Sequence, residues 1–369
     1  MDNKKQRELP LGIQDFETLR TNKFIYVDKT QYVYQLASVV RPYFLGRPRR
    51  FGKSLLLSTL RDYFLGKKEL FEGLAIADLE KDWTVYPVIY IDLNKESYTS
   101  ISKLEAVLNH ILSIHEEIWG RKENDTTIAL RFENLIRRAG AETKQKVVVL
   151  IDEYDKPLVN TLDDEKLNDA MRDLLKGFYG VLKSNSANIR FVMLTGVTKF
   201  SKLGIFSDLN FLIDISMNKD YAAICGITEE ELIQNFKPEI QTLGKENEMT
   251  FEAALAEMKK RYDGYHFADR SPDIYNPYSV LNTLLKRHFG YYWFETGTPT
   301  FLVKMIKQRR LDVRKFEADD VRVSAKDIFD YRVELSDPVP ILYQAGYLTI
   351  KSYKKLTDTY VLGYPNEEV

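Results

Sequence analysis

The chain has 369 residues, 44% hydrophobic and 29% charged, with a formal net charge of −1. That composition is globular, the length exceeds what one core usually fills, and the near-neutral charge excludes a global attraction to nucleic acid or membranes, leaving polyanion binding to local patches. Cys225 is the only cysteine and His110, His115, His266 and His288 are scattered, so an intrachain disulfide and a cysteine-built zinc site are excluded and a histidine metal site is not expected.

The residues before Leu9-Pro10 contain no apolar stretch of the signal-peptide kind, and no run approaches the ~18 apolar residues of a membrane helix. A cytoplasmic protein with no membrane partner is the expectation. The first strand is expected at Tyr43–Gly46, followed by Gly46-Arg47-Pro48-Arg49-Arg50-Phe51-Gly52-Lys53-Ser54 and a helix that opens with Leu55-Leu56-Leu57. A loop between a strand and a helix N-terminus can aim backbone N–H groups at a polyphosphate, with Lys53 reaching its outer phosphates and Ser54 a Mg²⁺ ion. The spacing is irregular, because G-x-x-x-x-G-K-[ST] would place glycine where this chain has Arg47. Arg47, Arg49 and Arg50 could hold nucleotide, a second polyanion, or acidic residues of a second domain, since the guanidinium fork suits phosphate and carboxylate alike.

Further strands are expected at Pro87–Leu93, Val147–Ile151, Ile189–Leu194 and Phe211–Ile215, with helical spacing over Lys103–Trp119 and Asp169–Lys183 between them. Strands alternating with helices predict a mostly parallel five-stranded sheet covered on both faces, ending near residue 218. The run Val147–Ile151 ends in Asp152-Glu153. Phosphoryl transfer needs a carboxylate at a rigid strand end for Mg²⁺ and another to polarise water, roles that suit Asp152 and Glu153. Such a pair also occurs in surface loops, and the phosphate-loop candidate about 100 residues upstream is what favours the site. Thr195-Gly196 ends the next strand, either as a position that orients water or senses the γ-phosphate, or as a simple turn. Lys199 and Lys202 are read as solvated, with phosphate contact as the alternative.

From about residue 219 the pattern becomes helical. Thr228 with Glu231 forms a capping box, Phe251–Arg261 has helical spacing, and Asn276-Pro277 and Thr298-Pro299 each place a cap before a proline. Val339–Ala345 followed by Tyr347–Lys351 and Tyr360–Leu362 reads as a helix and hairpin with a winged-helix-like form. Lys304, Lys307, Arg309, Arg310 and Arg314 form a moderate basic cluster that a solvated helix face would also explain.

In order, Leu9–Phe16, Tyr26–Thr30, Phe44–Ser54, Ile151–Pro157, Leu194–Phe200, Tyr262–Tyr265, Tyr275–Pro277 and Tyr343–Leu348 resemble the AAA-ATPase-like proteins of gut and anaerobic bacteria, across essentially the whole chain. The form R-P-R-R-F-G-K-S is typical of that family, which accounts for Arg47. The resemblance implies an α/β P-loop NTPase three-layer core of the additional-strand, catalytic-glutamate type over residues 1–218, and a helical lid with a winged-helix-like domain over 219–369. It implies ATP held by Gly46, Arg47, Pro48, Arg49, Arg50, Phe51, Gly52, Lys53, Ser54 and Leu55, and Mg²⁺ by Ser54 and Asp152. Lys53, Glu153 and Thr195 would be catalytic. Asp28-Lys29-Thr30 would border the adenine pocket or anchor the N-terminal segment, and Tyr262–Phe267 is expected to pack structurally. Relatives often continue into a PD-(D/E)xK nuclease-like domain; the remaining residues here carry no convincing acidic-acidic-lysine signature, so no nuclease activity is assigned to this chain. The reading is a Mg²⁺-dependent ATPase that couples nucleotide state to domain movement. The alternatives are an ATP-bound switch or scaffold that binds nucleic acid or protein, or the regulatory part of a nuclease system, with homo-oligomerisation open.

Overall fold

The structure is a computed structural model and describes residues 8–199, 211–297, 313–317, 321–329 and 338–369. Five strands, β1 (Pro42–Gly46), β2 (Val88–Asp92), β3 (Val147–Asp152), β4 (Ile189–Gly196) and β5 (Ile213–Asp214), form a parallel sheet in the order β2-β3-β4-β1-β5. Parallel pairing requires crossovers that cover both faces, so the central strands are mainly apolar on both sides. β3 shows this directly: Val147, Val149 and Ile151 enter the core on one face, Val148 and Leu150 the core on the other.

The helices of this part are α1 (Phe16–Thr21), α2 (Thr30–Ala37), α3 (Lys53–Phe64), α4 (Ala75–Leu79), α5 (Ile101–Trp119), α6 (Ile128–Thr143), α7 (Lys156–Asn160) and α8 (Glu165–Ser184). α2 and α3 pack on one face through Val33, Leu36, Leu56, Leu57 and Leu60, and α5, α6 and α8 on the other through Leu108, Phe132, Leu135 and Phe178. The result is the expected three-layer α/β core. α6 was not among the sequence expectations, although Thr127 caps it through Leu130 N–H and Phe132, Leu135, Ile136 and Ala139 give its buried stripe. β5 is shorter than the expected Phe211–Ile215, starting two residues later and ending at Asp214, whose Oδ1 accepts from Ser216 N–H at 2.9 Å and whose Oδ2 pairs with Lys199 at 2.7 Å. Lys199 is therefore ion-paired rather than merely solvated, while Phe200 and Lys202 lie outside the described residues.

Helices Glu229–Glu246, Phe251–Tyr262 and Pro277–Lys286 enclose a separate apolar cluster that includes Leu232, Phe236, Ile240, Met258 and Val280, joined by Ile25 from the N-terminal segment. The Thr228/Glu231 capping box is reciprocal, and Asn276 caps Pro277–Lys286. The Thr298-Pro299 cap and Lys304, Lys307, Arg309 and Arg310 lie outside the described residues.

At the C-terminal end, β6 (Val321–Ser324), β7 (Thr349–Lys354) and β8 (Thr359–Gly363) form an antiparallel sheet in the order β6-β8-β7, with helices Ala325–Phe329 and Val339–Gln344 between β6 and β7. Helix and hairpin thus follow as expected. Ile341, Leu342, Leu348, Ile350 and Leu362 share the cluster of Phe44, Tyr154 and Leu194, so this end packs onto the parallel sheet. Among the described residues no helix is long and apolar enough to cross a membrane.

Candidate nucleotide site

The C-terminal edge of the parallel sheet gathers three loops because β4 lies between β1 and β3. The loop after β1 turns through Arg50 (φ +68°) and Gly52 (φ +97°), the latter serving as N-cap of α3. Nothing stands within 4 Å of a Cβ built on Gly52, so its backbone conformation, not crowding, favours glycine there. Lys53, 4% exposed, opens α3 and curls back into the loop: its Nζ donates to the carbonyl oxygens of Arg47 (3.1 Å) and Pro48 (3.3 Å) and stands 3.4 Å from Glu153 Oε1.

Asp152, 2% exposed, closes β3. The register that pairs Ile151 with Leu194 sets Thr195 beside it, and Asp152 Oδ1 accepts from Thr195 Oγ1 at 2.6 Å and from Glu153 N–H at 3.0 Å. Burial and the charge of Glu153 push the Asp152 carboxyl above its ordinary range, while the hydroxyls of Ser54 and Thr195 and the Lys53 ammonium pull it down. Glu153 takes a left-handed conformation (φ +51°), which turns the chain out of the sheet. Asp155 then ties this loop to the one after β4: its Oδ2 accepts from Val197 N–H (3.0 Å), Thr198 N–H (2.6 Å) and Thr198 Oγ1 (2.6 Å). Burial first, and the charge of Glu153 second, raise Asp155 to about 6.

These loops open on a cavity of about 650 Å³, inside the ~300–1,000 Å³ range of small-molecule sites. Arg49, Arg50, Gly52, Lys53, Ser54 and Leu55 line it from the first loop and Glu153 and Lys156 from the second. Pro10–Gln14, Asn94–Ser97 and Tyr278 complete the wall. It shares Leu55, Pro277 and Leu281 with a smaller cavity of about 100 Å³ bordered by Ile25, Val27, Ile227 and Phe236. Lys29 borders that apolar space, its ammonium held by Glu231 at 2.6 Å, while Asp28 Oδ1 accepts from Thr30 N–H (2.8 Å) where α2 begins. The anchoring role of that segment is thus visible in its ion pair and hydrogen bond.

Not every residue of the first loop faces the cavity. Arg47 does not: it is buried, donates to the carbonyls of Gly46 (2.9 Å), Ser216 (2.6 Å) and Tyr221 (3.1 Å), and lies 4.1 Å over the Phe267 ring. Its side chain is a strut beneath the loop, turned away from the cavity. Gly46 donates its N–H to Ser216 Oγ at 2.8 Å, and Phe51 packs edge-on against Tyr265 and Phe267. A Cβ on Gly346 (φ +90°) would stand 2.7 Å from Pro48, so Pro48 is pressed against the C-terminal unit. Asp152 and Thr195 stand behind Glu153 rather than on the cavity wall. Sequence reasoning missed Lys156, Asp155, Tyr278 and Trp293. Lys156 and Asp155 lie in the conspicuous segment Ile151–Pro157; nothing in the sequence marks Trp293, whose indole Nε1 donates to Arg49 O at 3.0 Å across 244 positions.

Residues 10–206 match the family of predicted AAA-ATPases. A protein of Azotobacter chroococcum mcd 1, named only as an uncharacterized protein in the vnfD 5′ region, is 39% identical over 371 residues, covering 99% of this chain and 68% of that protein. Among solved structures, the chain is similar to the Aeropyrum pernix ORC2 protein in ADPNP–ADP complexes (13% identity, TM-score 0.33, 100% of this chain and 93% of that one). It is similar also to the replication initiator DnaA bound to AMPPCP and single-stranded DNA (11% identity, TM-score 0.34, 90% and 87%). At those scores neither structure says anything about this chain's ligands or partners. The family match and the 39% identical relative together establish that this chain belongs to the predicted AAA-ATPase family, a nucleotide-binding, ATPase-type class.

Proposed function

We propose that the chain binds ATP with Mg²⁺ and hydrolyses it to ADP and phosphate. The observation that carries this reading is the convergence of Lys53, Ser54 and Glu153 on one cavity, with Lys53 and Glu153 3.4 Å apart. The phosphates lie along the loop and the N-terminus of α3, and the purine enters the apolar extension beside Ile25, Val27 and Leu281. Arg49, Arg50, Gly52, Ser54 and Leu55 contact the nucleotide. A polyphosphate competes with Glu153 for the Lys53 ammonium, which frees the carboxylate to orient a water at the γ-phosphorus. Thr195 holds Asp152 in place.

The donor set fits Mg²⁺. Ser54 offers a hard oxygen on the wall and Asp152 another just behind it, within reach of the Ser54 hydroxyl, and among the described residues no cluster of three or more His, Cys, Asp or Glu could hold a metal alone. Mg²⁺ is commonly held by one or two protein oxygens plus phosphate and water, and it supplies charge neutralisation at the phosphates. Pro277, Tyr278 and Leu281 line the same cavity as the phosphate loop, so nucleotide would bridge residues 1–218 and 219–369 and couple its own state to their movement.

Equilibrium titration with ATP and Mg²⁺ tests the binding. The wild type binds, and Lys53→Ala loses affinity by at least ~10²-fold because the phosphates lose the buried Lys53 ammonium. Equal affinity in the two proteins contradicts the assignment.

A further inference from the structure

Three consecutive carbonyls of the phosphate loop each accept a hydrogen bond. Lys53 Nζ donates to those of Arg47 (3.1 Å) and Pro48 (3.3 Å), and Arg49 O accepts from the Trp293 indole Nε1 at 3.0 Å. The first two bonds are local, whereas the third comes from helix Tyr292–Gly297 in the other half of the chain. Next in sequence is Arg50, whose left-handed backbone (φ +68°) is uncommon for a residue other than glycine and persists only where its surroundings hold it. Trp293 holds it from the Arg49 side, and Tyr278 lies under the Arg50 guanidinium at 4.8 Å.

The peptide unit joining Arg49 to Arg50 is planar and trans, so the bond that fixes Arg49 O sends the Arg50 N–H the opposite way, away from the indole. Arg50 lines the cavity and Trp293 does not. A loop whose carbonyls are tied back leaves its N–H groups to meet an anion. Trp293 is itself fixed at both ends. Its buried ring packs against Tyr347 (centroids 5.2 Å apart) and Tyr265 (6.3 Å), and its backbone N–H donates to Glu368 Oε1 at 2.7 Å. Glu368 is buried as well, and its other oxygen accepts from Ser279 Oγ at 2.7 Å. Two side chains thus link the segment ending at Val369 to the phosphate loop.

We propose that Trp293 is a positioning residue of the nucleotide site: with its backbone set by Glu368, its indole fixes the Arg49–Arg50 peptide so that the Arg50 N–H faces the polyphosphate. The inference rests on the cavity being an ATP site. The link also runs in reverse, because a phosphate oxygen on the Arg50 N–H polarises the Arg49 carbonyl and strengthens its bond to the indole.

Nucleotide titration followed through the NMR signals of the tryptophan indole N–H groups tests this. The other two tryptophans, Trp83 and Trp119, pack elsewhere, against Tyr63 and His115. ATP is expected to move the Trp293 signal, and adenosine, which carries the purine and no phosphate, to leave it in place. Trp293→Phe keeps an aromatic ring and removes the donor; it identifies the signal and is expected to weaken ATP binding about tenfold, the upper worth of one hydrogen bond. Glu368→Ala weakens ATP binding in the same direction, and Glu368→Gln, which still offers Trp293 N–H an acceptor, restores it to within about twofold of wild type. A Trp293 signal that ATP leaves unmoved, or moves no more than adenosine does, overturns the proposal. So does ATP affinity in Trp293→Phe within about twofold of wild type. In either case ATP binding by the wild type leaves the underlying reading standing, whereas a wild type that binds no ATP overturns both.

Discussion

Arg131 and Lys53 are both buried and both face a carboxylate, and the contrast between them separates structure from site. Arg131 of α6 grips Glu116 of α5 through two bonds of 2.9 and 2.6 Å and also engages Asn109, so both charges are buried with their partners complete. Lys53 meets Glu153 once, at 3.4 Å, divides itself between two loop carbonyls, and faces a cavity of about 650 Å³. A closed bidentate pair has nothing to exchange. The looser one can release its carboxylate when phosphate oxygens take the ammonium, without leaving a buried charge alone.

The comparison can be broken at either pair. Arg131→Ala strands Glu116 in the core and is expected to remove about 3–5 kcal/mol of stability, read by denaturant titration, while ATP affinity stays within about threefold. Lys53→Ala is the mirror case, with nucleotide affinity lost and stability changed by less than ~1 kcal/mol, because Glu153 borders the cavity and can be rehydrated there. Equal stability losses in the two variants would erase the distinction.

A buried carboxylate without a cation sharpens it. Glu368 accepts from Ser279 Oγ (2.7 Å) and Trp293 N–H (2.7 Å) and pairs with no cation among the described residues. Burial, opposed by those bonds, raises it from 4.5 to about 7. The folded state therefore binds the proton more tightly than the unfolded chain, and the stabilisation present below pH 4.5 is lost as pH rises through about 7. The loss is on the order of 3 kcal/mol. Glu368→Gln flattens that part of the stability profile; an unchanged slope refutes the assignment. The smallest effect is at Thr228, whose side chain caps Glu229–Glu246 beside the Lys29–Glu231 pair. Thr228→Ala is expected to lower thermal stability by ~1 kcal/mol with ATP affinity little changed, since the ion pair remains.

Features set by local chemistry were legible in the sequence. The phosphate loop is bracketed by a strand and a helix, Asp152-Glu153 ends an apolar run, and the Thr228/Glu231 box is written in adjacent residues. Side-chain direction was not legible. Arg47, Arg49 and Arg50 look alike in sequence, and only the carbonyls of Ser216 and Tyr221, the Tyr278 ring and the Trp293 indole tell them apart. Those partners stand more than 160 positions away, so no local pattern encodes them. β5 was overextended as well: the apolar run suggested five strand residues, but only Ile213 and Asp214 pair in register, with Tyr43 and Phe44 of β1.

The most direct test of the central claim is single-turnover phosphate release with protein in excess over ATP and Mg²⁺ present. The wild type is expected to release the γ-phosphate, while Glu153→Gln binds ATP with affinity within about threefold and releases phosphate at least ~10²-fold more slowly. Equal release by the two proteins would contradict the account.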